Sequence, residues 1–118
     1  MEKPLVSGEI QFAEQPHLPS DAKAYVRLSD VSMADAPSRL IAEQVLTDVA
    51  EKANSGKPIP FVLYDTIQDP QASYAISVLV DVDDDGRISR GDFINMQSYP
   101  VLTFGYPSHL TVQVKKVN

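Results

Sequence analysis

The chain contains no cysteine. That excludes disulfide staples, thiol catalysis and zinc–thiolate sites, and it leaves the compartment open. There is also no apolar run of the roughly 18 residues that a membrane helix needs. The opening residues Met1–Ile10 lack the basic start and apolar stretch of a signal peptide. The chain is accordingly expected to be either cytosolic or trimmed ahead of Met1. Basic residues are few: 10 Lys and Arg stand against 16 Asp and Glu, the net charge is −6, and the largest basic cluster is the pair Lys115–Lys116. Neither nucleic acid nor anionic lipid is an expected partner on electrostatic grounds.

What is present describes one soluble folded domain covering residues 1–118. Its 43% apolar and 22% charged residues are near the globular average, and the length suffices for a core without staples. Nine prolines and five glycines are spread along the chain, which suits many short strands. Tyr74, Ile76, Val78 and Val80 alternate with smaller or more polar residues, as do Leu110, Val112 and Val114. That period of two predicts one buried and one wetter face. Weaker strands are expected at Leu5–Phe12, Ala24–Asp30, Ile59–Tyr64 and Met96–Phe104.

Segment Ser38–Asn54 reads two ways. Ile41, Val45 and Val49 recur at helical spacing behind Ser38, which could cap a helix, whereas Ile41, Glu43, Val45, Thr47 and Val49 alternate as a strand would. The pattern alone slightly favours helix. Counted as a strand, the segment brings the total to about seven, the number in an immunoglobulin-like sandwich.

One constellation carries chemistry. Residues 81–92 read Asp-Val-Asp-Asp-Asp-Gly-Arg-Ile-Ser-Arg-Gly-Asp, with carboxylates at loop positions 1, 3, 5 and 12 and glycine at position 6. This is the spacing of the twelve-residue EF-hand calcium loop. A hard cation takes about six to eight oxygens, and alternate residues reach it from one side while the glycine turns the chain back. The expected ligands are Asp81, Asp83, Asp85, the backbone carbonyl of Arg87, Ser89 and Asp92, with Ile88 tucked beneath. Aspartate at position 12 has a shorter arm than the preferred glutamate, so moderate to weak calcium affinity is expected. A strand precedes the loop where an EF-hand has a helix, and no second loop exists, which points to a structural ion rather than a sensor. The plainer alternative is an acidic hairpin turn.

His17 and His109 are expected in surface or turn positions, Met33 and Met96 as gap fillers, and Tyr99, Phe104 and Tyr106 mainly in the core or along an edge. Any of these aromatics left exposed marks the first place to seek a partner surface. No Gly-x-Ser-x-Gly nucleophile elbow occurs, and no enzymatic activity is expected.

The stretch Leu28–Gln44, together with Pro58–Phe61, Tyr74–Val80 and Ser98–Thr103, resembles the YbaY/YscW family of small bacterial envelope lipoproteins. The resemblance implies a compact β-sandwich held at the outer membrane by an N-terminal lipidated cysteine, with the segment after Pro37 a strand. It implies a periplasmic or outer-membrane-anchored location. Members linked to type III secretion look like pilotins, which escort an outer-membrane secretin, and the family supplies no catalytic residues. The expectation is therefore an all-β, immunoglobulin-like antiparallel sandwich with one structural calcium ion, acting through an envelope protein partner. Membrane contact would come only through a lipid anchor. The alternative is a calcium-assisted glycan-binding module in which Phe93, Tyr99 or Tyr106 stacks on a sugar.

Overall fold

A computed structural model describes residues 5–32, 39–64, 70–82, 90–97 and 99–117. The alternating segments form strands: β1 (Val6–Phe12), β2 (Lys23–Asp30), β4 (Ile59–Leu63), β5 (Tyr74–Asp81) and β8 (His109–Lys116). The ambiguous segment holds both elements, strand β3 (Arg39–Leu46) and a short helix α1 (Val49–Asn54). Within the expected strand Met96–Phe104 lies the short β7 (Tyr99–Val101), and another short strand, β6 (Phe93–Asn95), precedes the expected span.

All eight strands belong to one continuous sheet, ordered β3-β2-β5-β6-β8-β1-β4, with β7 on β5. This differs from the expected antiparallel sandwich of two separate sheets. The first and last strands, β1 and β8, run parallel. The end strands β3 and β4 pack together, so the sheet curls into a nearly closed barrel. At the seam the Gln44 side chain of β3 accepts the Val62 backbone N–H of β4 at 2.8 Å. One amide stands where a further ladder would complete closure.

The core fills this barrel from the inward face of each strand: Val6 and Ile10, Ala24, Val26 and Leu28, Ile59, Phe61 and Leu63, Tyr74, Ile76, Val78 and Val80, and Val112 and Val114, all buried. On β3 the inward positions Ala42, Gln44 and Leu46 are half-buried, whereas Val45 is exposed and Glu43 turns outward to pair with Arg27. That weak inward face, with a register shift opposite Leu28/Ser29, explains why periodicity alone did not separate strand from helix here. Helix α1 buries Val49, Ala50 and Ala53 against one end of the barrel. Among the described residues no helix is long and apolar enough to cross a membrane.

Strand directions define two ends. Where β1 begins, β8 also begins, β2, β4 and β7 finish, and β3 and β5 start, as the pairs Ser7↔His109, Val6↔Leu63, Asp30↔Arg39, Asp30↔Tyr74 and Tyr74↔Val101 record. Helix α1 and the ends of the acidic loop lie at the opposite end, beside the pairs Ala24↔Leu46 and Lys23↔Asp81.

Candidate functional site

Of the six expected cation ligands, Asp81 and Asp92 are described, while Asp83, Asp85, Arg87 and Ser89, with Gly86 and Ile88, lie outside the described residues. Asp81 closes β5 and Asp92 precedes β6; both carboxylates are buried, at 0% and 1% exposure. Extending the Val80↔Phe93 register by one residue sets Asp81 beside Asp92. Asp92 Oδ1 accepts the Val82 backbone N–H at 2.8 Å, and Lys23 is paired in register with Asp81 on its other side. Two adjacent buried carboxylates repel unless positive charge or donors offset them. Among the described residues no three His, Asp or Glu side chains gather. Of the aromatics expected to stack on a sugar, Phe93 is buried and meets Phe12 edge to face at 5.0 Å, Tyr99 is half-buried with its hydroxyl on the Gln113 N–H, and Tyr106 lies at the other end.

The flank between β5 and β8 is irregular. From Val80↔Phe93 to Tyr74↔Val101 the pairing slips by two residues, so β6 and β7 form one interrupted strand with a bulge around Met96 and Gln97. Met96, expected as core filler, is therefore 55% exposed; Met33, expected in the same role, lies outside the described residues. Inside the interruption the Asn95 side chain accepts the Val78 N–H at 2.9 Å, taking the place of a ladder bond. Beyond it β7 stays on β5 while β8 stays on β1. Along β8 the β6 side is paired only at Val114–Lys116. On that side His109–Val112, whose other side is paired with β1, and the outer edge of β7 have no strand partner among the described elements. The Tyr99 hydroxyl spans the gap, accepting the Gln113 N–H at 2.9 Å and the Gln97 side-chain amide at 3.0 Å.

The β7–β8 connection is bent sharply. Thr103 N–H bonds back to the Val101 carbonyl around Leu102 at φ 74°, and Tyr106 N–H bonds to the Thr103 carbonyl around Phe104 at φ 56° and Gly105 at φ 85°. The second is a type I′ geometry, whose first central position favours Asn, Asp or Gly. Phenylalanine there costs backbone strain. Thr103 pins the turn from below, its buried hydroxyl donating to the Ala72 carbonyl at 2.7 Å. Phe104 and Tyr106 remain 63% and 51% exposed, contrary to the expected packing. They edge a cavity of about 390 Å³ with Val31, Ala75 and Pro100. Beside it Asp30 accepts the Ser32 hydroxyl at 2.6 Å and its N–H at 2.9 Å. Those bonds, and then the charge of Arg39, hold the Asp30 carboxyl below its ordinary value.

His17 is exposed, as is His109, whose Nδ1 lies 3.0 Å from the Ser7 hydroxyl. Both sit where a surface role was expected. The bulge went unforeseen; its trace in the sequence is the Asn95–Gln97 break in alternation before Pro100.

Comparison with known proteins adds three findings. Residues 1–114 match the family described as type III secretion system lipoprotein chaperone (YscW). The chain is 34% identical over 86 residues to the uncharacterized lipoprotein YbaY of Escherichia coli (strain K12), a match covering 71% of this chain and 43% of that protein. It thus spans less than half the length of that curated relative. Among solved structures it is similar to an alternative pilotin from the type II secretion system of Vibrio cholerae, with a TM-score of 0.77, 29% identity and 96% of each chain covered.

Proposed function

The chain belongs to the YscW family of type III secretion system lipoprotein chaperones, and on that basis we propose that it is a non-enzymatic, pilotin-like domain of the bacterial envelope. It sits in the periplasm or on the outer membrane through an N-terminal lipid anchor and escorts a subunit of an outer-membrane secretin. The observation that supports a docking role is the interrupted strand. The outer edge of β7, and the side of β8 residues His109–Val112 that faces it and not β1, are without strand partners among the described elements, next to exposed Met96. Open edges recruit an extended segment through main-chain bonds, with neighbouring side chains giving selectivity. The test is surface plasmon resonance of the purified chain on the secretin subunit from the same organism. Saturable binding is expected, weakened about tenfold, or roughly 1.4 kcal/mol, by Met96→Asp, with melting unchanged. No saturable binding by the parent overturns the reading.

A structural calcium ion at Asp81–Asp92 is the second part of the proposal, favoured by the two buried carboxylates at loop positions 1 and 12. Asp83, Asp85, the Arg87 carbonyl and Ser89 would supply the other oxygens, an all-oxygen set suited to calcium. The competing account is neutralisation of Asp81 by Lys23 across the β2–β5 pair. Melting in EDTA and then in calcium separates the two, with magnesium as control. Ligand at 100 times the dissociation constant adds about 2.7 kcal/mol, a rise of roughly 10 °C. Asp83→Ala is expected to abolish the rise and Asp84→Ala to keep it. No rise, or equal loss in both variants, refutes the site.

A further inference from the structure

The exposed large apolar side chains are not scattered. Of the seven among the described residues, five lie at the end where β1 begins: Val31 after β2, Leu40 at the start of β3, Tyr64 after β4, and Phe104 and Tyr106 before β8. They flank three separate connections, β2–β3, β4–β5 and β7–β8, so one rim of the barrel carries all five. The described charges at that end are Asp30 and Arg39, which face each other in register. The buried carboxylates Asp81 and Asp92 are at the far end.

The chain's N-terminal side leads to the same rim. Leu5 N–H bonds to the Leu63 carbonyl at 2.8 Å and Ser7 N–H to the Ser108 carbonyl at 3.0 Å. Residue 5 therefore sits between Tyr64 and the Phe104–Tyr106 turn. That turn spends strain to hold a phenyl ring outward, and strain of this kind accumulates where a surface has work to do. Tyrosine and phenylalanine around a rim match the bilayer interface, where an apolar body sinks and a phenol stays at the headgroups.

We infer that this rim, with Phe104 at its tip, rests on a phospholipid bilayer and sets the orientation of the tethered domain. The inference builds on the lipid-anchor reading above. A net charge of −6 supplies no general attraction to lipid, so contact arises from apolar insertion of a few side chains held there by the tether. The bilayer end then points the β7–β8 flank sideways, open to a protein partner, and carries the acidic loop away from the membrane.

The chain has neither tryptophan nor cysteine, so a reporter and a tether can each be unique. In Phe104→Trp, a cysteine added ahead of Met1 is coupled to maleimide lipid in phosphatidylcholine–phosphatidylethanolamine vesicles. Tryptophan emission is expected to shift to the blue and to be quenched severalfold more by brominated lipid than in Met96→Trp tethered likewise. Coupling Phe104→Trp through a cysteine added after Asn118, since β8 finishes at the opposite end, is expected to remove the quenching. Tyr106→Trp serves as a second reporter should Phe104→Trp fail to fold. Equal quenching with either tether, or none with the N-terminal one, overturns the inference. So does blue-shifted emission that appears only when secretin subunit is added. Because the vesicles supply their own tether, this result stands apart from the anchor itself, which palmitate labelling of the protein in its native cells tests.

Discussion

Gly8→Ala is a substitution that the fold is expected to tolerate poorly. Gly8 lies midway along β1, buried, with β8 on one side and β4 on the other. A Cβ there would stand 1.9 Å from the Leu110 carbonyl oxygen and 3.0 Å from both the Leu110 carbonyl carbon and Phe61 Cζ. Phe61 can turn away, but the Leu110 oxygen is backbone, about 1.5 Å inside ordinary contact. Relieving that overlap means drawing β8 off β1 in the one parallel pair that joins the first strand to the last. Losing two or so ladder bonds at about 1 kcal/mol each, with overpacking of about 1–3 kcal/mol, gives roughly 3–5 kcal/mol. For a domain whose stability is about 5–15 kcal/mol, that is a fall in Tm of about 10–20 °C. Thermal unfolding followed by circular dichroism measures it. A variant melting within about 2 °C of the parent would show that β1 and β8 are not held this closely, and the barrel described here would be wrong at its central contact.

Other substitutions have smaller effects. Asn54 clamps the segment before β2, its Oδ1 accepting the Leu18 N–H at 2.7 Å and its Nδ2 donating to the Leu18 carbonyl at 3.0 Å. Asn54→Ala is expected to cost about 2 kcal/mol, seen as a lower denaturation midpoint with an unchanged m-value. Asp30 has a folded pKa below its ordinary 3.8, so its contribution is present above that value and disappears as pH falls through the lower folded one. Asp30→Asn is expected to melt below the parent at neutral pH and to converge with it under acid, as paired melting curves across pH would show. Met96→Asp is expected to weaken binding to the secretin subunit about tenfold, and calcium to raise Tm by roughly 10 °C over EDTA.

Much of the fold was legible because alternation is a direct consequence of a pleated, half-buried strand. β2 and β5 have apolar residues at every inward position, and their expected boundaries came within one residue of those observed; β8 runs only slightly beyond its alternating stretch. Closure of the sheet was not legible, because it depends on the Gly8–Leu110 approach and the Gln44–Val62 bond, contacts between residues remote in sequence. β3 hid itself by placing Val45 outside and Gln44 inside. The aromatic rim was half legible: Phe104 and Tyr106 were visible as candidates, but their exposure follows from left-handed turns at Leu102 and Phe104 that no propensity favours. The acidic motif is the converse case, clear as a pattern of spacing while its central residues 83–89 lie outside the described ones.

The proposed delivery of a secretin through the β7–β8 flank is tested in the cell by the amount of assembled secretin in outer-membrane fractions. The strains to compare are one deleted for the gene and the same strain complemented in turn with the parent chain and with Met96→Asp. Outer-membrane secretin is expected to be lost in the deletion, to recover with the parent and to recover poorly with Met96→Asp at equal expression. Secretin assembled at parental levels in the deletion strain would contradict delivery by this domain.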